Sequence, residues 1–322
     1  MLIEPHLTEI EPNPSLFAVA FPGQGAYKID AAKILFNQNE VAKNLLGQAS
    51  LIDELGTSFV DRVLKGDVDE LTFHRQLQPF IVLTNIAMFE AARQRNKPLQ
   101  EYTPSLYLGH SLGELCALVA SGVLDLNDCL RIAKRREELM RSLEGVGMTW
   151  VPGFDVDSYP PIREASGAQI TVINRQNSFF IGGTTDELTR AEELLDAEGA
   201  MPQRSDIPAL SHHPRLEPVL DDYGNYLTQF TFQKPTASIL MNAGSAITED
   251  PGVIRELMVR QLVEPVNVPQ MLEQIKGQGL SKLIEFGTAD LWSSLVKKSG
   301  IQLRGFTNPT DLSISDLPTF LQ

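Results

Sequence analysis

The sequence is poor in cysteine, which argues against a disulfide scaffold or a thiolate metal site. Only two of its 322 residues are cysteines, Cys116 and Cys129. Both fall in segments whose composition is typical of helices, so we expect buried free thiols in a reducing compartment. We therefore predict no metal site.

Long hydrophobic runs and a secretory signal are also missing. No apolar stretch approaches the roughly 20 residues that span a bilayer, and the first residues lack a basic start followed by an apolar run. Residues 1–15, with Pro5, Pro12 and Pro14, are predicted to be a flexible leader. These features predict a cytoplasmic protein with no membrane partner.

Positive charge is scarce. The chain has 27 Lys and Arg against 41 Asp and Glu, a formal net charge of -14. This balance argues against nucleic acid or an anionic membrane as the main partner. With 43% hydrophobic and 21% charged residues, the composition is that of a globular protein with one large domain or two unequal ones.

The most informative motif that is present is GHSLG at residues 109–113. It follows an apolar strand-like run and precedes a helix-like segment that ends at Gly122, the arrangement of a nucleophile elbow. The elbow would expose Ser111 at a helix N-terminus, where the backbone N–H of Leu112 can stabilise an oxyanion. The alternative is a strand-to-helix turn without chemistry.

A second glycine turn, GQG at residues 23–25, follows the apolar run at 16–21. It lacks the third glycine of a dinucleotide fingerprint and the Gly-Lys-Ser/Thr of a P-loop, so phosphate binding by those motifs is not expected. Gln24 would lie at the carboxyl end of a strand, where open α/β sheets bind ligands. The alternative is a solvated turn glutamine.

Arg136 stands on the apolar stripe of a predicted helix, between Ala133 and Met140, whereas charged neighbours such as Glu137 are predicted to point elsewhere. A buried guanidinium needs an anion. Either an internal Asp or Glu or a substrate carboxylate can provide it, and the residue pattern leaves both possibilities open.

The order of predicted elements indicates an α/β protein of two domains. Residues 147–207 give the β-α-β-β-α-β order of a small ferredoxin-like domain, inserted into a large α/β-hydrolase-like parallel-sheet domain formed by residues 16–146 and 208–322. A cleft between two such domains is a natural binding site.

His212 and His213 form the only histidine pair in the chain, between Pro208 and Pro214. Either imidazole can serve as a base for Ser111, because histidine titrates in the required range. The pair alone does not show which ring faces the serine.

Five motifs in one order resemble the malonyl-CoA:acyl carrier protein transacylase family, including discrete acyltransferases that serve polyketide synthases. They are FPGQG (21–25), GHSLGE (109–114), Arg136, Ser211-His212, and VRQL (259–262) with Pro265-Val266. The similarity covers nearly the whole chain after the leader.

The resemblance implies a ping-pong acyl transfer in polyketide or fatty-acid biosynthesis. Ser111 would take the malonyl group of malonyl-CoA with His212 as general base, and the phosphopantetheine thiol of an acyl carrier protein would then resolve the acyl-serine. The backbone N–H groups of Gln24 and Leu112 would form the oxyanion hole.

The same resemblance assigns the remaining roles. Arg136 would bind the malonyl carboxylate, and the Ser-His motif selects His212 over His213. The backbone carbonyl of Gln261 would orient His212, so that no triad aspartate is required. The family implies no tightly bound cofactor, with malonyl-CoA as substrate, and we expect a monomer.

Two other functions compete with the transferase. An acyl hydrolase that removes acyl groups from carrier proteins would use the same serine and histidine with water in place of the thiol. It would have no use for Arg136. A docking or scaffold protein with vestigial catalytic parts would not need Ser111, His212, Gln24 and Arg136 to be intact.

The sequence departs from the family pattern in three places. Residues 174–178 read NRQNS, the segment before His212 reads PALS, and residues 285–289 read EFGTA where the family has Gly-Pro-Gly. Selectivity among carboxylated acyl groups is therefore not predicted.

Overall fold

The computed structural model describes residues 16–56, 58–205 and 209–321. The predicted leader, residues 1–15, lies outside the described residues. No helix of the described part is long and apolar enough to cross a membrane.

Eleven strands are present in the described part of the chain. They are β1 (Ala18–Phe21), β2 (Leu106–Gly109), β3 (Val146–Pro152), β4 (Gln169–Arg175), β5 (Ser178–Thr184), β6 (Gln203–Arg204), β7 (Ser238–Leu240), β8 (Ile247–Thr248), β9 (Val266–Asn267), β10 (Lys282–Phe286) and β11 (Gln302–Phe306).

The α-helices between them are α1 (Ile29–Gln38), α2 (Glu40–Ala49), α3 (Ser58–Lys65), α4 (Val68–Phe73), α5 (Leu77–Arg95), α6 (Lys97–Glu101), α7 (Gly113–Ala120), α8 (Leu126–Met140), α9 (Pro160–Ser166), α10 (Thr185–Ala197), α11 (Leu220–Leu227), α12 (Pro251–Arg260), α13 (Val268–Gly277), α14 (Trp292–Leu295) and α15 (Leu317–Leu321). Short 3-10 helices cover Gln24–Ala26, Val156–Ser158, Pro214–Val219 and Ala243–Ser245.

The large sheet has the order β11-β10-β1-β2-β7-β8, and among these described strands only the β7-β8 pairing is antiparallel. Alternate residues of β1 enter different cores: Val19 and Phe21 pack on one face, and Ala18 and Ala20 on the other. Both faces are covered, which is why the strand reads as an uninterrupted apolar run. Because β1 and β2 are adjacent and parallel, the loops after them meet at one edge of the sheet.

The small sheet has the order β6-β3-β5-β4-β9. Its first four strands, with α9 and α10, follow the predicted β-α-β-β-α-β order, and Tyr159 packs edge-on against Phe179 in their separate core. The α/β fold with a ferredoxin-like subdomain is thus confirmed. The strand β9 was not predicted: it pairs in parallel with β4 although it belongs to the segment after residue 208. The exact domain boundaries remain a prediction.

Candidate active site

The turn between β2 and α7 has the geometry of an elbow. Ser111 has a left-handed backbone (φ 50), and the N–H of Gly113 donates to the carbonyl of His110 at 2.9 Å. A Cβ atom at Gly109 would lie 1.9 Å from the carbonyl carbon of Gly113, and one at Gly113 would lie 2.4 Å from the carbonyl oxygen of Phe21. Close backbone approach therefore requires glycine at both positions.

Of the two candidate histidines, the structure brings His212 to the serine. Its Nε2 lies 2.7 Å from Ser111 Oγ, and its Nδ1 lies 2.7 Å from the backbone carbonyl of Gln261. A carbonyl only accepts, so Nδ1 carries the proton and Nε2 is the acceptor for the serine hydroxyl. His213 instead accepts the N–H of Arg215 through its Nδ1.

The electrostatic environment keeps His212 neutral. Burial, and then the positive charge of Arg136, lower the pKa of His212 to about 3. A neutral imidazole whose free nitrogen faces a hydroxyl can accept that proton. The arrangement therefore has the chemical form of a serine and its general base.

Arg136 is buried on α8, with 2% of its surface exposed. Its Nη1 donates to Gln78 Oε1 at 2.8 Å, and its Nη2 donates to Gln261 Oε1 at 3.0 Å and to Ser111 Oγ at 3.3 Å. Its Nε has no hydrogen-bond partner in the described part of the chain. No carboxylate there is in ion-pair contact with this guanidinium, which contacts neutral oxygens instead.

Two polar residues near Arg136 were not predicted correctly. Gln78 was not singled out in the sequence, yet its buried amide contacts Arg136. Glu137 was predicted to point away from the core, but it is buried, accepts the backbone N–H of Gln78 at 3.0 Å and pairs with Arg141 at 3.3 Å. The Glu137 contact lies at the start of α5 and therefore helps to fix Gln78 near Arg136.

Gln24 and Leu112 lie at the same edge of the sheet as Ser111. Gln24 follows β1, and its Oε1 accepts from Gln78 Nε2 at 3.2 Å. The backbone N–H of Leu112, at the N-cap of α7, makes no hydrogen bond to another described residue. An amide in this position is available to a developing negative charge beside Ser111.

A buried carboxylate lies behind these residues. Glu114 accepts the backbone N–H of Asn242 at 2.6 Å and the Asn242 Nδ2 at 2.6 Å through one oxygen, and Gln261 Nε2 at 2.8 Å through the other. Asn242 Oδ1 in turn accepts the N–H of Ser111 at 2.9 Å. The only signal for Glu114 in the sequence was its place in GHSLGE, and nothing indicated Asn242.

A cavity of about 270 Å³ lies between the two sheets and is lined by Gln24, Gln78, Ser111, Arg136 and His212. Apolar side chains that line it are Met140, Met148, Val172, Phe180 and Leu291. Asn174, from β4, lines it as well and lies with its Oδ1 2.9 Å from His110 Nε2. Within the described residues no cluster of His, Cys, Asp or Glu could hold a metal ion.

The chain is similar to known proteins over most of its length. The family profile described as an acyl transferase domain matches residues 19–287. A malonyl CoA-acyl carrier protein transacylase of Staphylococcus aureus is 31% identical over 295 residues, which cover 87% of this chain and 91% of that protein.

Two solved structures are similar in both fold and sequence. The acyl-carrier-protein S-malonyltransferase of Burkholderia pseudomallei has a TM-score of 0.83 and 27% identity, covering 92% of this chain and 97% of its own. A malonyl-transacylase solved in complex with its type II polyketide-synthase acyl carrier protein has a TM-score of 0.82 and 28% identity, covering 90% of this chain and 95% of its own.

Proposed function

Because this chain belongs to the acyl transferase domain family, we propose that it transfers a malonyl group from coenzyme A to the phosphopantetheine thiol of an acyl carrier protein, in fatty-acid or polyketide biosynthesis. The observation that carries the substrate assignment is the buried guanidinium of Arg136. It has no carboxylate partner in the described part of the chain and lies 3.3 Å from the Ser111 hydroxyl. A substrate carboxylate fits this position, because a planar guanidinium binds it through two parallel hydrogen bonds.

The first half-reaction forms an acyl-enzyme. His212 Nε2 takes the proton of Ser111 as Oγ forms a bond to the thioester carbon of malonyl-CoA. The N–H groups of Leu112 and Gln24 stabilise the oxyanion. The intermediate collapses by breaking the carbon–sulfur bond, and His212 gives the proton to the departing coenzyme A thiolate, which leaves as the thiol.

The second half-reaction runs the same steps in reverse. The carrier's thiol gives its proton to His212 and attacks the malonyl-serine ester, and the serine recovers the proton when its ester bond breaks. The Gln261 carbonyl keeps the imidazole in one tautomer through both halves, because it accepts the Nδ1 proton throughout.

We also propose a cytoplasmic monomer that needs no tightly bound cofactor. All groups invoked above come from one chain, and every step uses only its side chains and backbone amides. The buried free thiols of Cys116 and Cys129 fit a reducing compartment. Acyl hydrolysis, which needs the same Ser111 and His212, is not favoured, because a monoacyl group has no carboxylate for Arg136 to bind.

Intact-mass measurement tests this proposal. Incubation with malonyl-CoA should add one malonyl group, Ser111→Ala should gain none, and addition of a holo-acyl carrier protein should move the group to the carrier. Release of free malonate without transfer would instead identify a hydrolase. A wild-type protein that gains no adduct would contradict both activities.

A further inference from the structure

Glu114 lies immediately behind the reacting groups without lining the cavity. Its side chain is buried, and within the described residues its two oxygens accept hydrogen bonds from Asn242 and Gln261 only. An ionised carboxylate can only accept hydrogen bonds, whereas a primary amide can present either its oxygen or its nitrogen. Glu114 therefore favours the orientation in which the amide nitrogens of Asn242 and Gln261 point toward it, at the shortest of the hydrogen bonds that these nitrogens donate.

Asn242 shows the first consequence. Its amide nitrogen faces Glu114 at 2.6 Å and the Gly109 carbonyl at 2.8 Å, which leaves its oxygen to accept the N–H of Ser111 at 2.9 Å. Ser111 has the left-handed backbone that a non-glycine residue adopts only when its surroundings hold it there. The Asn242 oxygen is one such restraint on the elbow.

Gln261 shows the second consequence. Its amide nitrogen donates to Glu114 at 2.8 Å and to the backbone carbonyl of Ser111 at 3.2 Å, so its oxygen is left to accept from Arg136 at 3.0 Å. With the amide reversed, N–H groups of Gln261 and Arg136 would face each other, and the guanidinium would lose this acceptor. The backbone carbonyl of Gln261, which holds His212, does not depend on the orientation of its side chain.

We infer that Glu114 is a positioning residue for the proposed malonyl transfer: its acceptor-only carboxylate fixes the amide orientations of Asn242 and Gln261, which in turn hold Ser111 and Arg136. This inference rests on the proposed function, and it adds a residue that contacts neither the substrate nor the reacting atoms. It also explains why a buried acid is tolerated here, because each of its two oxygens accepts a hydrogen bond from one of these amide side chains.

Glu114→Gln tests the inference at pH 8. This pH is chosen because burial raises the pKa of Glu114 to about 7, and the carboxylate prevails above that value. The variant keeps the size of the side chain but places an NH₂ group against one of its two amide neighbours, which forces a reversal or a lost bond.

The readout is the ratio of malonyl to acetyl loading rates on Ser111. Acetyl-CoA lacks the carboxylate that Arg136 would bind, so displacement of Arg136 lowers malonyl loading more than acetyl loading. We expect the ratio to fall about tenfold or more, as for loss of a buried hydrogen bond to a charged group. A general loss of folding would lower both rates together.

Two further variants complete the experiment. Glu192→Gln neutralises a carboxylate that is bonded to Thr149 and Arg204 in the small domain and should leave the ratio within about twofold of wild type. Gln261→Met removes the amide that links Glu114 to Arg136 but keeps the backbone carbonyl that holds His212, so it should lower the ratio. Adding Glu114→Gln to Gln261→Met should lower the ratio no further, because Glu114 is connected to Arg136 through the Gln261 side chain, which is already absent.

Each outcome decides the question. An unchanged ratio in Glu114→Gln, or a double variant whose ratio falls by the product of the single effects, overturns the inference. If Glu114→Gln does not fold, an unchanged ratio in Gln261→Met overturns it. Absence of any malonyl adduct in the wild type overturns the proposed function itself, and the two failures are thereby distinguished.

Discussion

Arg136 Nη2 lies 3.3 Å from Ser111 Oγ, so the proposed carboxylate-binding group and the proposed nucleophile are in direct contact. The carboxylate and the thioester carbonyl of a malonyl group are separated by a single methylene. A substrate that binds Arg136 therefore has its thioester carbon within reach of Ser111. The contact relates substrate length to reactivity, because a longer diacid would carry its thioester past the serine.

The first prediction concerns Arg136→Ala. Loss of hydrogen bonds to a charged group is worth about 1.5–3 kcal/mol, so malonyl loading should fall roughly ten- to a hundredfold. Acetyl loading should be retained, because it does not use the guanidinium. Intact-mass measurement on samples quenched at successive times, with each acyl-CoA in turn, gives both rates.

Arg135→Ala is the matched control for that experiment. Arg135 precedes Arg136 on α8, but its ion pairs with Glu138 and Asp222 are at the surface and contribute little. This variant should load malonyl at close to the wild-type rate. If the Arg136→Ala variant loaded malonyl as fast as the wild-type protein, the argument for a substrate carboxylate would be lost.

Local patterns predicted the parts of the molecule that neighbouring residues determine. The apolar run of β1, the glycines around Ser111 and the helical phase that buries Arg136 are each properties of a short segment. The ferredoxin-like order could likewise be predicted from successive elements. Residue propensity and hydrophobic periodicity are sufficient to predict features of this kind.

Contacts between distant segments could not be predicted in this way. Asn242 meets Ser111 across 131 positions and Gln78 meets Arg136 across 58, and neither pairing leaves a periodic signal. Glu137 was misplaced for a related reason: helical phase described the stripe of α8, but only the tertiary contact with Gln78 shows why a carboxylate beside that stripe is buried. The strand β9 has two residues, too few for any pattern.

A second prediction concerns the elbow and uses Gly113→Ala. The added Cβ would lie 2.4 Å from the carbonyl oxygen of Phe21, so backbone must move. Overpacking of this kind costs about 1–3 kcal/mol, and it should also slow loading because Ser111 shifts. Denaturant unfolding and malonyl loading measure the two effects.

Gly47→Ala provides the comparison for Gly113→Ala. Gly47 lies within α2, and a Cβ there would meet nothing within 4 Å. Alanine should leave loading unchanged and raise stability by about 0.5–1 kcal/mol, because it favours the helix. A Gly113→Ala protein as stable and active as wild type would show that the elbow tolerates a side chain.

The third prediction is a pH dependence of stability that belongs to His212. In the unfolded chain this histidine gains a proton below its ordinary pKa of 6.5, whereas in the folded protein its pKa is lowered to about 3. The unfolded state therefore binds more protons between these values, and stability falls as the pH falls below 6.5. Between pH 7.5 and 5.5 this loss amounts to about 1.4 kcal/mol.

His212→Gln isolates that contribution, because other titrating groups are common to both proteins. From pH 7.5 to 5.5 the free energy of unfolding of the variant should gain about 1.4 kcal/mol relative to wild type. Urea titrations at the two pH values provide the difference. Parallel pH curves for the two proteins would mean that His212 is not held neutral by the fold.

The last prediction places an acid beside Arg136. Gln78 Oε1 already accepts from Arg136 at 2.8 Å, so Gln78→Glu would supply a carboxylate at the position of a neutral oxygen. The new ion pair competes with the malonyl carboxylate for the same guanidinium, and like-charge repulsion adds to the effect. Malonyl loading should fall at least tenfold and acetyl loading much less. Gln94→Glu, at an exposed position on the same helix, should change neither rate, and an equal response of both acyl groups to Gln78→Glu would show that Arg136 does not choose between them.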